Sequence, residues 1–140
     1  MRAFLRILFI TGMVLCFSCE EQGLLVKCSE CTTDEPIETE LKIKLGENYY
    51  KPTTTVRVYQ GDIEDNIPLE TVIVNGSSTS TKIKVRVNKK YTVTATYIID
   101  NDEYIVVDSV TPRVRYDEEQ CEDPCYYVYD RTVHLVLKYR

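Results

Sequence analysis

From Glu40 onward, apolar side chains return at every second position, and turn signals cut the alternation into short runs. Residues two apart share one face of an extended strand, whereas a helix would need a spacing of three or four. Leu41, Ile43 and Leu45 alternate with lysines up to Gly46, and Val56 and Val58 alternate with Thr55, Arg57 and Tyr59 up to Gly61-Asp62. Leu69 to Val74 is a third run, closed by Asn75-Gly76, a dipeptide suited to tight hairpins. Ile83, Val85 and Val87 make a fourth, and Tyr91, Val93, Ala95, Tyr97 and Ile99 a fifth, ending at Asp100-Asn101-Asp102. Tyr104 to Tyr116 is a sixth, bent near Pro112, which has no N–H for a central ladder. Tyr126 to Tyr139 is the seventh, with Val133, Leu135 and Leu137 on one face.

No stretch carries a helical period. Seven runs, most with one apolar and one Thr/Lys/Arg face, predict an all-β chain: an antiparallel seven-strand sandwich, immunoglobulin-like or transthyretin-like. The alternative is a small closed β-barrel, which gives the same alternation. With no Trp in the chain, the buried Trp of antibody domains is missing, so kinship with true immunoglobulins has no support.

The N-terminus has a different grammar. Arg2 and Arg6 precede an apolar run over residues 7–18, and Ser18-Cys19-Glu20-Glu21 follows. A charged start, about a dozen apolar residues and a small residue before a cut make a secretory signal; a bilayer span needs roughly 20. With a cysteine after the cut, the segment resembles a bacterial lipoprotein signal. The relaxed box, with Cys16 and Ser18 where Leu and Gly or Ala are usual, and the acidic residues behind Cys19 look like lipoproteins of Bacteroidota-type bacteria. That resemblance implies acylation of Cys19, removal of residues 1–18 and anchorage in the outer membrane, on the cell surface or the periplasmic face. Cys16 is the rival acylation site, behind bulky Leu15, and an ordinary secreted protein is the plainer alternative. The organisation predicted is 1–18 signal peptide, 19–39 lipidated tether carrying Cys28 and Cys31, and 40–140 a single domain.

Removing the signal takes away every Phe and Met, leaves eleven tyrosines as the only aromatics, and moves the net charge from −5 to −7 as Arg2 and Arg6 depart. An anionic chain without a Lys/Arg cluster does not suit nucleic acid. Nor would it bind anionic headgroups unaided, so the membrane partner is reached through the acyl chains.

Cys28-Ser-Glu-Cys31 precedes the first strand and Cys121-Glu-Asp-Pro-Cys125 the last. Two such pairs could bind zinc, but a secreted chain favours disulfides, and no metal or other cofactor is expected. A thioredoxin-type site would need a helix after the motif, which Thr32-Thr-Asp-Glu-Pro36 does not start. If seven strands alternate in direction, the first and last run the same way and both pairs lie at one end. Cross-links between the pairs are then plausible, with the connectivity open.

Catalysis is not expected. The one histidine, His134, alternates out of phase with Val133 and Leu135, so it faces solvent and offers no basis for a triad. Acidic residues gather in turns, and Asp100-Asn101-Asp102-Glu103 lacks the glycine and distal glutamate of an EF-hand loop. Tyrosine is left as the candidate contact residue: Tyr49, Tyr50, Tyr126 and Tyr127 for binding, with Tyr91 and Tyr97 in the core. Core or edge packing is the competing role for all of them. Asp108-Ser109-Val110 resembles the O-glycosylation acceptor motif of Bacteroidota, which implies a glycan on Ser109. Two functions from different classes follow. One is a surface-displayed, non-catalytic binding module for a glycan, peptide or protein. The other is an assembly subunit, similar in class and address to the fimbrillin lipoproteins, which polymerise by strand addition.

Overall fold

A computed structural model describes residues 26–46 and 53–138. Nine strands follow in chain order: β1 (Glu38–Leu45), β2 (Thr53–Gln60), β3 (Pro68–Asn75), β4 (Ser80–Arg86), β5 (Tyr91–Ile99), β6 (Asp102–Val110), β7 (Arg113–Asp117), β8 (Cys125–Tyr129) and β9 (Thr132–Leu135). Seven of them form two sheets, β4-β1-β9 and β3-β2-β5-β6, and β7-β8 is a separate hairpin. The expected all-β sandwich is present, and its strand number matches, but the sixth and seventh runs each divide in two. Pro112 is fully buried between β6 and β7, where it cannot donate to a ladder. Asp130, at φ 52°, separates β8 from β9.

Period two puts Leu41, Ile43 and Leu45 of β1, Ile83 and Val85 of β4, and Val133 and Leu135 of β9 on the inner face of the first sheet. Val56, Val58, Tyr91, Val93, Ala95 and Tyr97 answer from the second. The outer face of the first sheet is charged, and Lys82–Glu40 (2.8 Å) and Lys84–Glu38 (2.7 Å) pair along it. Solvent-exposed pairs of this kind add little to stability; they keep that face wet.

β1 and β9 pair in parallel, so the first and last strands run the same way, as strand parity predicts. The two sheets do not close into a barrel. β6 lies beside β9, but the contact is not a ladder: the His134 N–H donates to Asp108 Oδ2 at 2.8 Å. An inward-phase carboxylate placed at a sheet edge stops further pairing.

Turn chemistry departs from the sequence reading at one place. Asn75-Gly76 does not close a hairpin, because β3 and β4 belong to different sheets. Asn75 Oδ1 accepts from the N–H (3.0 Å) and hydroxyl (2.9 Å) of Ser77, building a corner with no need for positive φ at Gly76. The tight hairpin lies between β5 and β6, where Asp100 and Asn101 both take positive φ (51° and 69°), as a type I′ turn requires. Those residues therefore act as a turn.

A second corner joins β4 to β5. The Tyr91 hydroxyl donates to the Arg86 carbonyl (3.1 Å) and accepts from its N–H (3.0 Å). One hydroxyl thus satisfies both backbone groups of the last residue of β4 and fixes the crossing between the sheets.

Candidate functional site

The four cysteines meet at one end of the sandwich as Cys28–Cys121 and Cys31–Cys125. Both bridges join the N-terminal pair to the C-terminal pair. The sulfurs of Cys31, Cys121 and Cys125 all lie within 4.8 Å of one another. Bridged sulfur has no thiolate to offer a metal, so this cluster is a staple while oxidised.

The backbone supports the staple independently. Thr32 and Tyr126 exchange two N–H···O bonds (2.9 and 2.8 Å), an isolated antiparallel bridge between the N-terminal segment and β8. Residues 28–32 are thus joined to the domain rather than being a free tether, and β1 begins at Glu38, two residues before the predicted boundary. Glu30 sits in a 3₁₀ turn, Cys28–Glu30, and pairs with Arg131 and with Lys42 (3.7 Å).

The loop carrying Cys121 is shaped by Asp117. Its Oδ1 accepts from the N–H groups of Gln120 (2.8 Å) and Glu119 (2.9 Å), which hold the carboxyl below its usual range in that order. Gln120 passes the constraint on, its Oε1 accepting from the Val26 N–H at 3.0 Å. Sequence reasoning missed both residues. The available signal was Asp two and three residues before free N–H groups, the pattern of an Asx turn.

The β7-β8 hairpin divides the tyrosines between two faces. Tyr116 stands opposite Tyr126 in the ladder, with ring centroids 4.8 Å apart and planes tilted by 46°. On the other face Arg115 is opposite Tyr127 and Arg113 opposite Tyr129, and the Tyr127 and Tyr129 rings lie 6.2 Å apart. Both arginines are exposed and both tyrosines partly buried. The sequence alone does not point to the two cations, because only the register brings Arg113 and Arg115 across from the tyrosines.

Of the other expected site residues, Ser109 is exposed on β6, and its N–H donates to Asp108 Oδ1 at 2.8 Å. Asp108 therefore bonds both its neighbour and β9. Tyr91 and Tyr97 are core residues, as the alternation predicts. His134 is exposed on the outer face of β9. Cys19, Tyr49 and Tyr50 lie outside the described residues. No protein family matches the chain, and no curated protein or solved structure is significantly similar to it.

Proposed function

We propose that this chain is a lipid-anchored protein of the bacterial outer membrane, acting as a non-catalytic binding module through the end of the sandwich that carries β7-β8. One observation carries the reading: the face formed by Arg113, Arg115, Tyr127 and Tyr129 stands next to two disulfides and a backbone bridge. Rigid aromatic side chains give contact area at low entropic cost, and tyrosine and arginine are both enriched at binding hot spots. Hydroxyl-rich ligands suit such a surface, because tyrosine offers a ring for stacking and a polar tip. A glycan, or a peptide able to bond both arginines, is the favoured partner. Ser109, exposed on β6, is available to carry a glycan of its own.

Acylation of Cys19 supplies the anchor. Eight residues separate Cys19 from the bridged Cys28, a span of at most about 32 Å when extended. The domain is then held near the membrane.

Two measurements test this reading. Cys19→Ala should release the protein from the membrane fraction or block its processing; a variant that is cut after Ser18 and still partitions with membranes defeats the anchor. Glycan and peptide arrays probed with the wild-type protein and with Arg115→Ala should show a ligand class that the variant loses at unchanged melting temperature. Equal array signals for both proteins would remove the site.

A further inference from the structure

The four cysteines carry a second chemistry that the bridges conceal. Two residues separate Cys28 from Cys31 and three separate Cys121 from Cys125, spacings that structural zinc sites share. The sulfurs of Cys31 and Cys121, which belong to different bridges, lie 3.9 Å apart. Four thiolates about 2.3 Å from a tetrahedral zinc stand about 3.8 Å from one another. Cys125 Sγ makes a triangle with those two, no side longer than 4.8 Å, and Cys28 is bonded to one of its corners.

We infer that the reduced form of this cluster is a zinc site, with Cys28, Cys31, Cys121 and Cys125 as its four ligands. Reduction consumes two molecules of a dithiol. Each transfers two electrons and two protons to one bridge and leaves as a disulfide. Zinc then takes the four sulfurs as thiolates and releases four protons to water. The ion so held joins the N-terminal pair to the C-terminal pair, as the bridges do. Bridge and zinc exclude each other, because a bridged sulfur has no thiolate to give. Four sulfur ligands in a tetrahedron select a soft ion over calcium or magnesium, which take oxygen.

The backbone that gathers the sulfurs does not run through the bridges. Thr32 and Tyr126 exchange two N–H···O bonds beside Cys31 and Cys125, and Glu30 pairs with Arg131 and Lys42. Asp117 Oδ1 shapes the loop before Cys121 by accepting from Glu119 and Gln120, and Gln120 Oε1 holds the Val26 N–H. Each of these bonds is open to the reduced chain. Within each bonded pair the Cα atoms stand 5.6 Å apart, so side-chain rotation separates the sulfurs around an ion. Access is one-sided. Cys28 is exposed, Cys31 and Cys121 are partly buried and Cys125 is buried, so reductant and ion both enter from the Cys28 side. None of the four belongs to the face proposed for ligand binding, so the two sites are independent.

The test uses the full chain in detergent with Cys16→Ser and Cys19→Ser, which leaves these four as its only cysteines. Reduced without air and titrated with cobalt as a coloured stand-in for zinc, it should bind one equivalent. The spectrum should carry the charge-transfer absorption of cobalt on thiolates, and zinc should bleach it. Reduction alone should lower the melting temperature or abolish the transition, and one equivalent of zinc should return most of the loss. The oxidised protein should bind neither ion. Cys28 is exposed, so Cys28→Ser leaves the core intact; in the reduced chain it should weaken zinc binding about tenfold or more. A reduced chain without thiolate-to-cobalt absorption overturns the inference. So does zinc that binds with no rise in melting temperature, which would assign it to thiols of an unfolded chain. Recovery of the same size with magnesium, or undiminished binding by Cys28→Ser, overturns the four-sulfur site.

Discussion

The Tyr97 hydroxyl donates to the Leu135 carbonyl at 2.6 Å, tying an inner strand of one sheet to the edge strand of the other through the core. The same oxygen accepts from the Gly46 N–H at 3.0 Å, so one side chain joins the C-terminal ends of the parallel strands β1 and β9. Removing it with Tyr97→Phe leaves the ring in place and strips a buried carbonyl and a partly buried N–H of their partner. Buried groups left in that state cost about 1–3 kcal/mol. Urea denaturation should show a lower midpoint at an unchanged slope. An unchanged midpoint would mean that the hydroxyl contributes nothing.

Burial holds the hydroxyls of Tyr97 and Tyr91 above the ordinary tyrosine value, against the opposing effect of their backbone partners. The unfolded chain therefore loses these protons first as pH rises. Their contribution is complete below about pH 10 and declines above it. Alkaline unfolding should be steeper in the wild type than in Tyr97→Phe; identical pH profiles would exclude a role for Tyr97 in that decline.

The first disulfide to close, whichever it is, contributes more than the second. Each alone closes a loop of more than ninety residues, their separations being 93 and 94. In the loop-entropy account that is worth about 4–5 kcal/mol. With either bridge present, the other closes a ring of only about seven residues and adds about 2–3 kcal/mol. Converting Cys31 and Cys125 to Ser should thus cost the smaller amount, and so should Cys28 and Cys121. Removing all four should cost about 7 kcal/mol and can leave the chain unfolded. A full loss from one pair alone would show that this bridge has a structural role beyond chain entropy.

Much of this architecture was legible in the alternation of residues 40–138. Leu41, Val56, Val93 and Val133 reveal their inner face by period two, and Tyr91 and Tyr97 are legible as core because they keep phase with Val93 and Ala95. What could not be read were relations between distant segments. Asn75-Gly76 has hairpin chemistry, yet the strands it joins lie in different sheets, a choice made by packing and not by the dipeptide. Arg113 and Arg115 look like ordinary strand charges until the register places them beside Tyr129 and Tyr127. Disulfide connectivity was likewise open, because four cysteines in two close pairs permit three pairings.

Asp117 organises the Cys121 loop through two backbone N–H bonds that stabilise its charged form. Its folded-state pKa lies below the ordinary 3.8, so its contribution is present above that pH and is lost as pH falls through the lower value. Asp117→Ala should speed amide exchange at Glu119 and Gln120 and expose the loop to proteolysis, with the core amides unaffected. Exchange that stays slow at both positions would show that the bridges alone hold the loop.

Tyr126 and Tyr127 are neighbours in sequence with opposite assignments. Tyr126 packs on Tyr116, and its backbone bonds Thr32; Tyr127 stands across from Arg115 on the face proposed for binding. An aromatic pair contributes about 0.5–1.5 kcal/mol beyond the area it buries. For a domain of this size each kcal/mol moves the melting temperature by roughly 4–8 °C. Tyr126→Ser should therefore lower the melting temperature by several degrees. Tyr127→Ser loses only the wider 6.2 Å contact with Tyr129, so it should lower the melting temperature less and abolish array binding. If both substitutions destabilise alike, Tyr127 is a packing residue and the contact face reduces to Arg113, Arg115 and Tyr129.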